Sequence, residues 1–215
     1  MNFAMEQTAL VEQRMGVSTA SGLSQEIETE LVRKSLHMLI ALVPSIASVF
    51  GVGITLAVLA SGTLFYAYCE TMRLAGHSVA VVSTVTSMAS RQRDIGRFAL
   101  GPVTLGLGAM AALLLYPNPA ASLAIYALAF GDGFASLFGK VFGRTTIPGS
   151  GGKTLEGTIA CFSAIYLAGF ILTGRPVESA AVAAAGAMLE LAPSNDLDNL
   201  ILPIGTGLLA TVLFL

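Results

Sequence analysis

The sequence predicts an all-α, polytopic membrane bundle of about seven transmembrane helices, and three observations predict it. Of 215 residues, 54% are hydrophobic and only 11% are charged, with a mean hydropathy of +0.78; a soluble domain carries about 25% charge. The apolar residues fall into runs of roughly 15–20, close to the length that crosses the hydrocarbon of a bilayer, separated by short connections. The Lys and Arg residues sit on alternate connections, as the positive-inside rule requires of a chain that weaves through a membrane.

In chain order, residues 1–23 are polar and lack a basic segment followed by an apolar one, so a loosely ordered cytoplasmic tail is expected in place of a cleaved signal. Residues 24–215 form a single transmembrane domain. Ser24 suits a helix cap, with Glu26, Glu28 and Glu30 in the first turns and Arg33 and Lys34 further on, in the sense the helix dipole favours. Span 1 covers 36–50 and is kinked by Pro44. An uncharged turn at 51–53 leads to span 2, 54–69, which ends at Glu70-Thr71-Met72-Arg73. Residues 74–95 mix Val, Ser and Thr with Arg91, Arg93 and Asp94 and suit an interfacial or re-entrant piece.

Span 3 covers 97–116, closed by Pro117-Asn118-Pro119, and span 4 covers 120–138 with Asp132 near its end. A glycine-rich loop follows. Span 5 runs over 155–173, a turn at 174–176 leads to an Ala-rich span 6 over 177–191, and a polar connection leads to span 7 over 200–215. With the N-terminus inside, ten of the eleven basic residues lie on inner connections and only Arg175 lies outside. The predicted topology is N-in and C-out. The other polar clusters fall on the same inner face. Cys69 and Cys161 lie within spans, without metal-ligand spacing, and are expected to be buried free thiols.

Four clusters carry chemistry. Asp132 stands in an apolar run, where a lone carboxylate costs roughly 2.5–3.5 kcal/mol, so it must face a cavity or a partner. Ala135, Ser136, Gly139 and Gly143 continue its helical face as a strip of small residues, which admits a backbone or a ligand. The loop Gly149-Ser-Gly-Gly-Lys-Thr154 is not a Walker loop, because Ile147 stands where that motif needs its first glycine. Its glycine N–H groups, the point charge of Lys153 and the helix start beyond it still suit an anionic phosphate chain. Glu30, Arg33, Lys34 and His37 share one helical face, whereas His77 belongs to a surface loop. Glu190, Asn195, Asp196, Asp198 and Asn199 gather three carboxylates and two amides within ten residues, a set suited to a hard cation such as Mg²⁺. Metal, cations and a helix N-terminus together are the equipment of phosphoryl or nucleotidyl transfer.

Three blocks give these clusters a family likeness: Glu30-x-x-Arg33-Lys34-x-x-His37; Asp132-x-x-Ala135-x-x-x-Gly139-x-x-x-Gly143 followed by Lys153-Thr154-x-Glu156-Gly157; and Glu190 followed by Asp198-Asn199-x-x-x-Pro203. In this order they resemble the CTP-dependent polyprenol kinases (dolichol, phytol and farnesol kinases) and are distantly similar to CDP-diacylglycerol synthase. The resemblance implies a multi-pass enzyme of a bacterial or archaeal cytoplasmic membrane, with its site facing the cytoplasm. It would move the terminal phosphate of CTP, with Mg²⁺, onto a long-chain lipid alcohol such as a polyprenol, dolichol or phytol.

By position, the resemblance assigns Lys153, Thr154, Glu156 and Gly157 to nucleotide binding, with Gly139 and Gly143 beside them. It assigns Arg33, Lys34 and His37 to a second wall, Asp132, Asp198 and Glu190 to the metal, and Asn199 to their support. Asp132, Lys153, Asp198 and His37 are the catalytic candidates, and Asp132, Asp198 and His37 are alternatives for the base. The chain departs from the family in its compact length and in carrying Arg91-Gln92-Arg93-Asp94 where a Glu is expected. The same residues leave open a phosphatidate cytidylyltransferase or a CTP-dependent diacylglycerol kinase. A transporter would need polar residues on both faces, and the outer turns are bland. Lipid and nucleotide are the expected partners, nucleic acid is not, and the oligomeric state is unspecified.

Overall fold

A computed structural model describes residues 27–77, 96–193 and 197–215. The suggested cap at Ser24, the segment with Arg91, Arg93 and Asp94, and residues Asn195 and Asp196 lie outside the described residues. Within them the regular secondary structure is helical, apart from one isolated bridge between Thr146 and Thr154.

The first helix, α1, runs Ile27–Phe50 and already includes Glu30 and Arg33, so the polar face and the span expected at 36–50 are one continuous element. Pro44 cannot donate to the carbonyl four residues back, and the backbone just before it tightens into a 3₁₀ turn over Leu39–Leu42. The turn expected at 51–53 is a single residue. Gly51, at φ +86°, ends α1, and α2 starts at once as Val52–Leu74; a left-handed conformation of this kind favours glycine.

Four more helices repeat the expected order closely: α3, Gly101–Leu115; α5, Leu155–Thr173; α6, Pro176–Leu191; and α7, Asp198–Phe214. The fourth helix, α4, spans Ala120–Phe142, four residues beyond its predicted end, and contains a π-helical stretch at Ala127–Asp132. The start of α3 comes later than residue 97 because the N–H of Ala99 donates to the buried Glu70 carboxylate, 2.9 Å away, and not to a helical carbonyl.

The centre of the bundle is α4. It packs against α1, α3, α5, α6 and α7, and Leu123, Ile125 and Leu128 are fully buried along it. One of its faces brings the rings of Tyr126, Phe130, Phe134, Phe138 and Phe142 into successive contact at four-residue intervals. The face bearing Asp132, Ser136 and Lys140 borders the polar interior described below. Small residues allow α5 to lie close against α4. A Cβ added to Gly157 would stand 2.6 Å from the carbonyl oxygen of Ala135, so the strip of small residues admits a backbone. Gly157→Ala is therefore expected to force the two helices apart and cost about 1–3 kcal/mol, the range for overpacking; thermal unfolding in detergent checks it.

Outside the core, large apolar side chains such as Leu64 (71% exposed), Ile171 (79%) and Val177 (77%) stand outward on α2, α5 and α6. Water would oppose such a surface and lipid would accept it. Four helices, α1, α2, α4 and α5, are long and apolar enough to cross a membrane, and α3 and α7 are shorter apolar helices. This is the build of a helical membrane protein.

Candidate functional site

The loop between α4 and α5 is a braced structure. Ile147 N–H donates to Lys153 O and Leu155 N–H to Thr145 O, both at 2.9 Å. Inside this ring the buried Ser150 hydroxyl donates to Ile147 O at 2.7 Å and accepts from the Lys153 N–H at 3.0 Å. Gly149, Gly151 and Gly152 all take positive φ, which lets the chain turn tightly around Ser150. Thr154 caps α5 by accepting from Gly157 N–H. Glu156 accepts from Thr145 N–H at 3.3 Å and so ties the base of the loop.

This loop closes over a cavity of about 380 Å³, within the roughly 300–1,000 Å³ of small-molecule sites. Its walls include Arg33 of α1; Asp132, Ser136 and Lys140 of α4; Ser150 to Thr154 of the loop; and Glu190 with Asp198 from the facing ends of α6 and α7. Asp132, Lys153 and Asp198, far apart in sequence, thus share one hollow. Gly139, Gly157 and Thr154 line it too.

Behind Asp132 lies a buried ion pair. Lys34, whose side chain is 2% exposed, bonds the Asp132 carboxylate, and His37 Nε2 lies 3.3 Å from the same oxygen. The Leu128 carbonyl, in the π-helical stretch, accepts from His37 Nε2 at 2.9 Å. Single π turns within α-helices recur at functional sites. Because a carbonyl only accepts, Nε2 carries the proton, and a proton cannot be taken up there. Across the cavity Lys153 bonds both the carboxylate of Glu190, at 2.9 Å, and its backbone carbonyl.

No family model, curated protein or solved structure matches this chain. The likeness of its three blocks rests on the residues alone.

Five of the sequence candidates lie off the lining of this cavity. Lys34 and His37 sit behind Asp132. Asn199 is turned away towards α3, donating to Thr104 Oγ1 at 2.9 Å and Gly101 O at 3.2 Å; its N–H donates to Asp198 at 3.0 Å, so it braces Asp198 from the side. Gly143 and Glu156 border a separate outer hollow with Arg144. His77 is exposed, and Cys69 and Cys161 are buried free thiols.

Among the lining residues that carried no assignment are the polar side chains of Ser136, Lys140 and Ser150. Ser136 and Lys140 follow Asp132 at intervals of four, so helical period alone puts them on its face. Glu30, also unassigned, is buried against Arg33, Ser136 and Lys140.

Among the described residues no three His, Cys, Asp or Glu side chains gather tightly enough to hold a metal alone. Mg²⁺ needs less, because it takes one or two carboxylates and completes its shell with water and phosphate oxygens. Asp198 fits that demand: among the described residues it makes no ion pair, and a backbone N–H is its hydrogen-bond donor. Glu190 fits less well, since Lys153 occupies its carboxylate.

Proposed function

We propose that this protein is an integral-membrane, CTP-dependent kinase of lipid alcohols, which transfers the γ-phosphate of CTP to the hydroxyl of a polyprenol-type lipid. The observation that carries the reading is the convergence of Asp132, Lys153 and Asp198 on one cavity, with the glycine loop as its roof. CTP and the isoprenoid acceptor come from the likeness of the three blocks. All seven helices are taken as spans, N-in and C-out, with the cavity at the cytoplasmic end of a bacterial or archaeal membrane.

The division of labour follows from the partners each side chain has. Lys153 exchanges Glu190 for a phosphate oxygen when the nucleotide enters. Asp198 would hold Mg²⁺, with Asp132, already paired with Lys34, beside it, and the bound metal would offset the negative charge of the transferring phosphoryl group. Lys34 and His37 fix Asp132 from behind and do not touch substrate. Four cations and four carboxylates meet in and around the cavity, counting Glu30 and Lys34 in its wall. A polyanion therefore enters best with its metal. Phosphoryl transfer asks mainly for positioning and charge, so no strong base is required.

A screen of phytol, farnesol, long polyprenols and diacylglycerol with CTP and Mg²⁺ tests the reading by mass spectrometry of the lipid product. A lipid monophosphate from an isoprenoid alcohol is the expected result. Product from diacylglycerol alone would move the acceptor to glycerolipids, and a CDP-lipid would make the protein a cytidylyltransferase.

A further inference from the structure

Among the described residues none of α2 lines the cavity, yet the last turns of this helix carry a wholly buried carboxylate, Glu70. Taking such a charge out of water costs several kcal/mol unless it is paired and hydrogen-bonded. Arg73, one turn on, meets it with two prongs: Nε donates to Oε2 at 2.8 Å and Nη2 to Oε1 at 2.7 Å. The clamp also reaches beyond its own helix. Ala99 N–H donates to Glu70 Oε1 at 2.9 Å, and Arg73 Nη2 donates to Arg97 O at 3.0 Å. The segment that leads into α3 is therefore held on α2, and α3 starts just beyond it, at Gly101.

The first turn of α3 is in turn bonded to α7. The buried Asn199 amide donates to Gly101 O at 3.2 Å and to Thr104 Oγ1 at 2.9 Å. Thr104 directs its own proton at the helix, with Gly101 O 3.0 Å away, which leaves its oxygen to accept from Asn199. One turn further along, α3 and α7 touch without a side chain between them, since a Cβ added to Gly108 would run into the Asn199 carbonyl oxygen. Asn199 cannot shift unless α3 shifts with it. Its N–H donates to the Asp198 carboxylate at 3.0 Å, and Asp198 lines the cavity.

We propose that Glu70 and Arg73 are positioning residues for Asp198, acting through the first turn of α3, Thr104 and Asn199. A carboxylate that holds a metal must be kept in a fixed orientation by the groups behind it. Asp198 makes no ion pair among the described residues and takes its direction from a backbone N–H, so whatever fixes that N–H fixes the ligand. The clamp contributes what the short Asn199 contacts cannot, a fixed height for α3 relative to the bundle. It uses a bidentate Arg–carboxylate pair, the most directional of the charged hydrogen-bonded pairs. The proposal rests on the assignment of Mg²⁺ to Asp198 made above, and not on the identity of the nucleotide or of the acceptor.

The test uses the full chain in nanodiscs of phosphatidylcholine, with Mn²⁺ in place of Mg²⁺ and inorganic tripolyphosphate as the anion; water proton relaxation reads the Mn²⁺ held by the protein. Thr104→Val keeps the shape and removes the oxygen that receives the Asn199 amide. Glu70→Gln with Arg73→Gln removes both charges of the clamp, so that neither is left buried alone. Each should weaken Mn²⁺–tripolyphosphate binding about tenfold or more, as loss of an outer partner of a metal ligand does, while Thr104→Ser stays near wild type. Arg73→Lys, which keeps a charge beside Glu70 but loses the fork, is the milder clamp variant and should weaken binding a few-fold, on the order of the difference between a fork and a point charge. With Asp198→Asn already in place, Thr104→Val should add nothing, because its effect passes through that carboxylate. A purely structural brace would lower the unfolding temperature and leave the affinity of the folded protein as it was. Wild-type affinity in folded Thr104→Val or in either folded clamp variant overturns the proposal, and so does an undiminished effect of Thr104→Val beside Asp198→Asn. No Mn²⁺ held by the wild type overturns it together with the metal assignment. Transfer from CTP is scored separately: its absence, while Mn²⁺ binding responds to Thr104→Val, removes the kinase reading and leaves this proposal standing.

Discussion

Asp132→Asn is expected to abolish the proposed phosphoryl transfer and to lower stability by about 3–5 kcal/mol, the cost of stripping one partner from a buried ion pair. The size of the effect comes from Lys34. Its ammonium is 2% exposed and bonds Asp132 across 98 residues of sequence. CTP consumption reads the first effect and thermal unfolding in detergent the second. Lys34→Met combined with Asp132→Leu separates the two: a pair replaced by apolar groups of similar size is close to neutral, so this protein should be stable and still inactive. Full CTP consumption by Asp132→Asn would reduce Asp132 to a structural residue and return a transport role to consideration.

The second large effect is expected at Lys153. Lys153→Met should lower kcat/KM about 10²–10³-fold, as removal of one preorganised charge at a transition state does. The substitution also leaves Glu190 without its cation, so it is best made together with Glu190→Gln, which keeps the facing group neutral. The double variant should fold as wild type and remain inactive. Glu190→Gln alone should cost only a few-fold, since the Glu190 backbone carbonyl still holds Lys153. A large rise in the Mg²⁺ concentration needed by Glu190→Gln would instead place Glu190 on the metal.

Much of the fold was legible because local signals were strong. The bounds of α5 follow from a Thr154 cap and a Gly174 in the left-handed conformation, both local sequence chemistry. The end of α4 is read four residues short, at 138, although Gly139 and Gly143 already continue its helical period; close packing of α5 against that glycine face accompanies a helix that runs on to Phe142. The start of α3 was hidden for a different reason, the bond from Ala99 to Glu70 on another helix. In the site, Asp132, Ser136 and Lys140 are one face by period alone. The pairings of Lys34 with Asp132 and Lys153 with Glu190 depend on which helices meet, and spacing within one helix says nothing of that. Glu156 and Asn199 read as ligands because capping and bracing use the same oxygens and amides as chemistry does. Here Glu156 ties Thr145 and Asn199 ties α3 to Asp198.

One cavity handling one triphosphate is the claim on which the rest depends, and the position of a radiolabel tests it most directly. Purified protein is incubated with Mg²⁺, an isoprenoid alcohol and CTP labelled on either its α or its γ phosphate. Label from the γ position should appear in lipid, label from the α position should stay in CDP, and both should fail together in Lys153→Met with Glu190→Gln. Label from the α position in lipid, or no label in lipid from either, would contradict it.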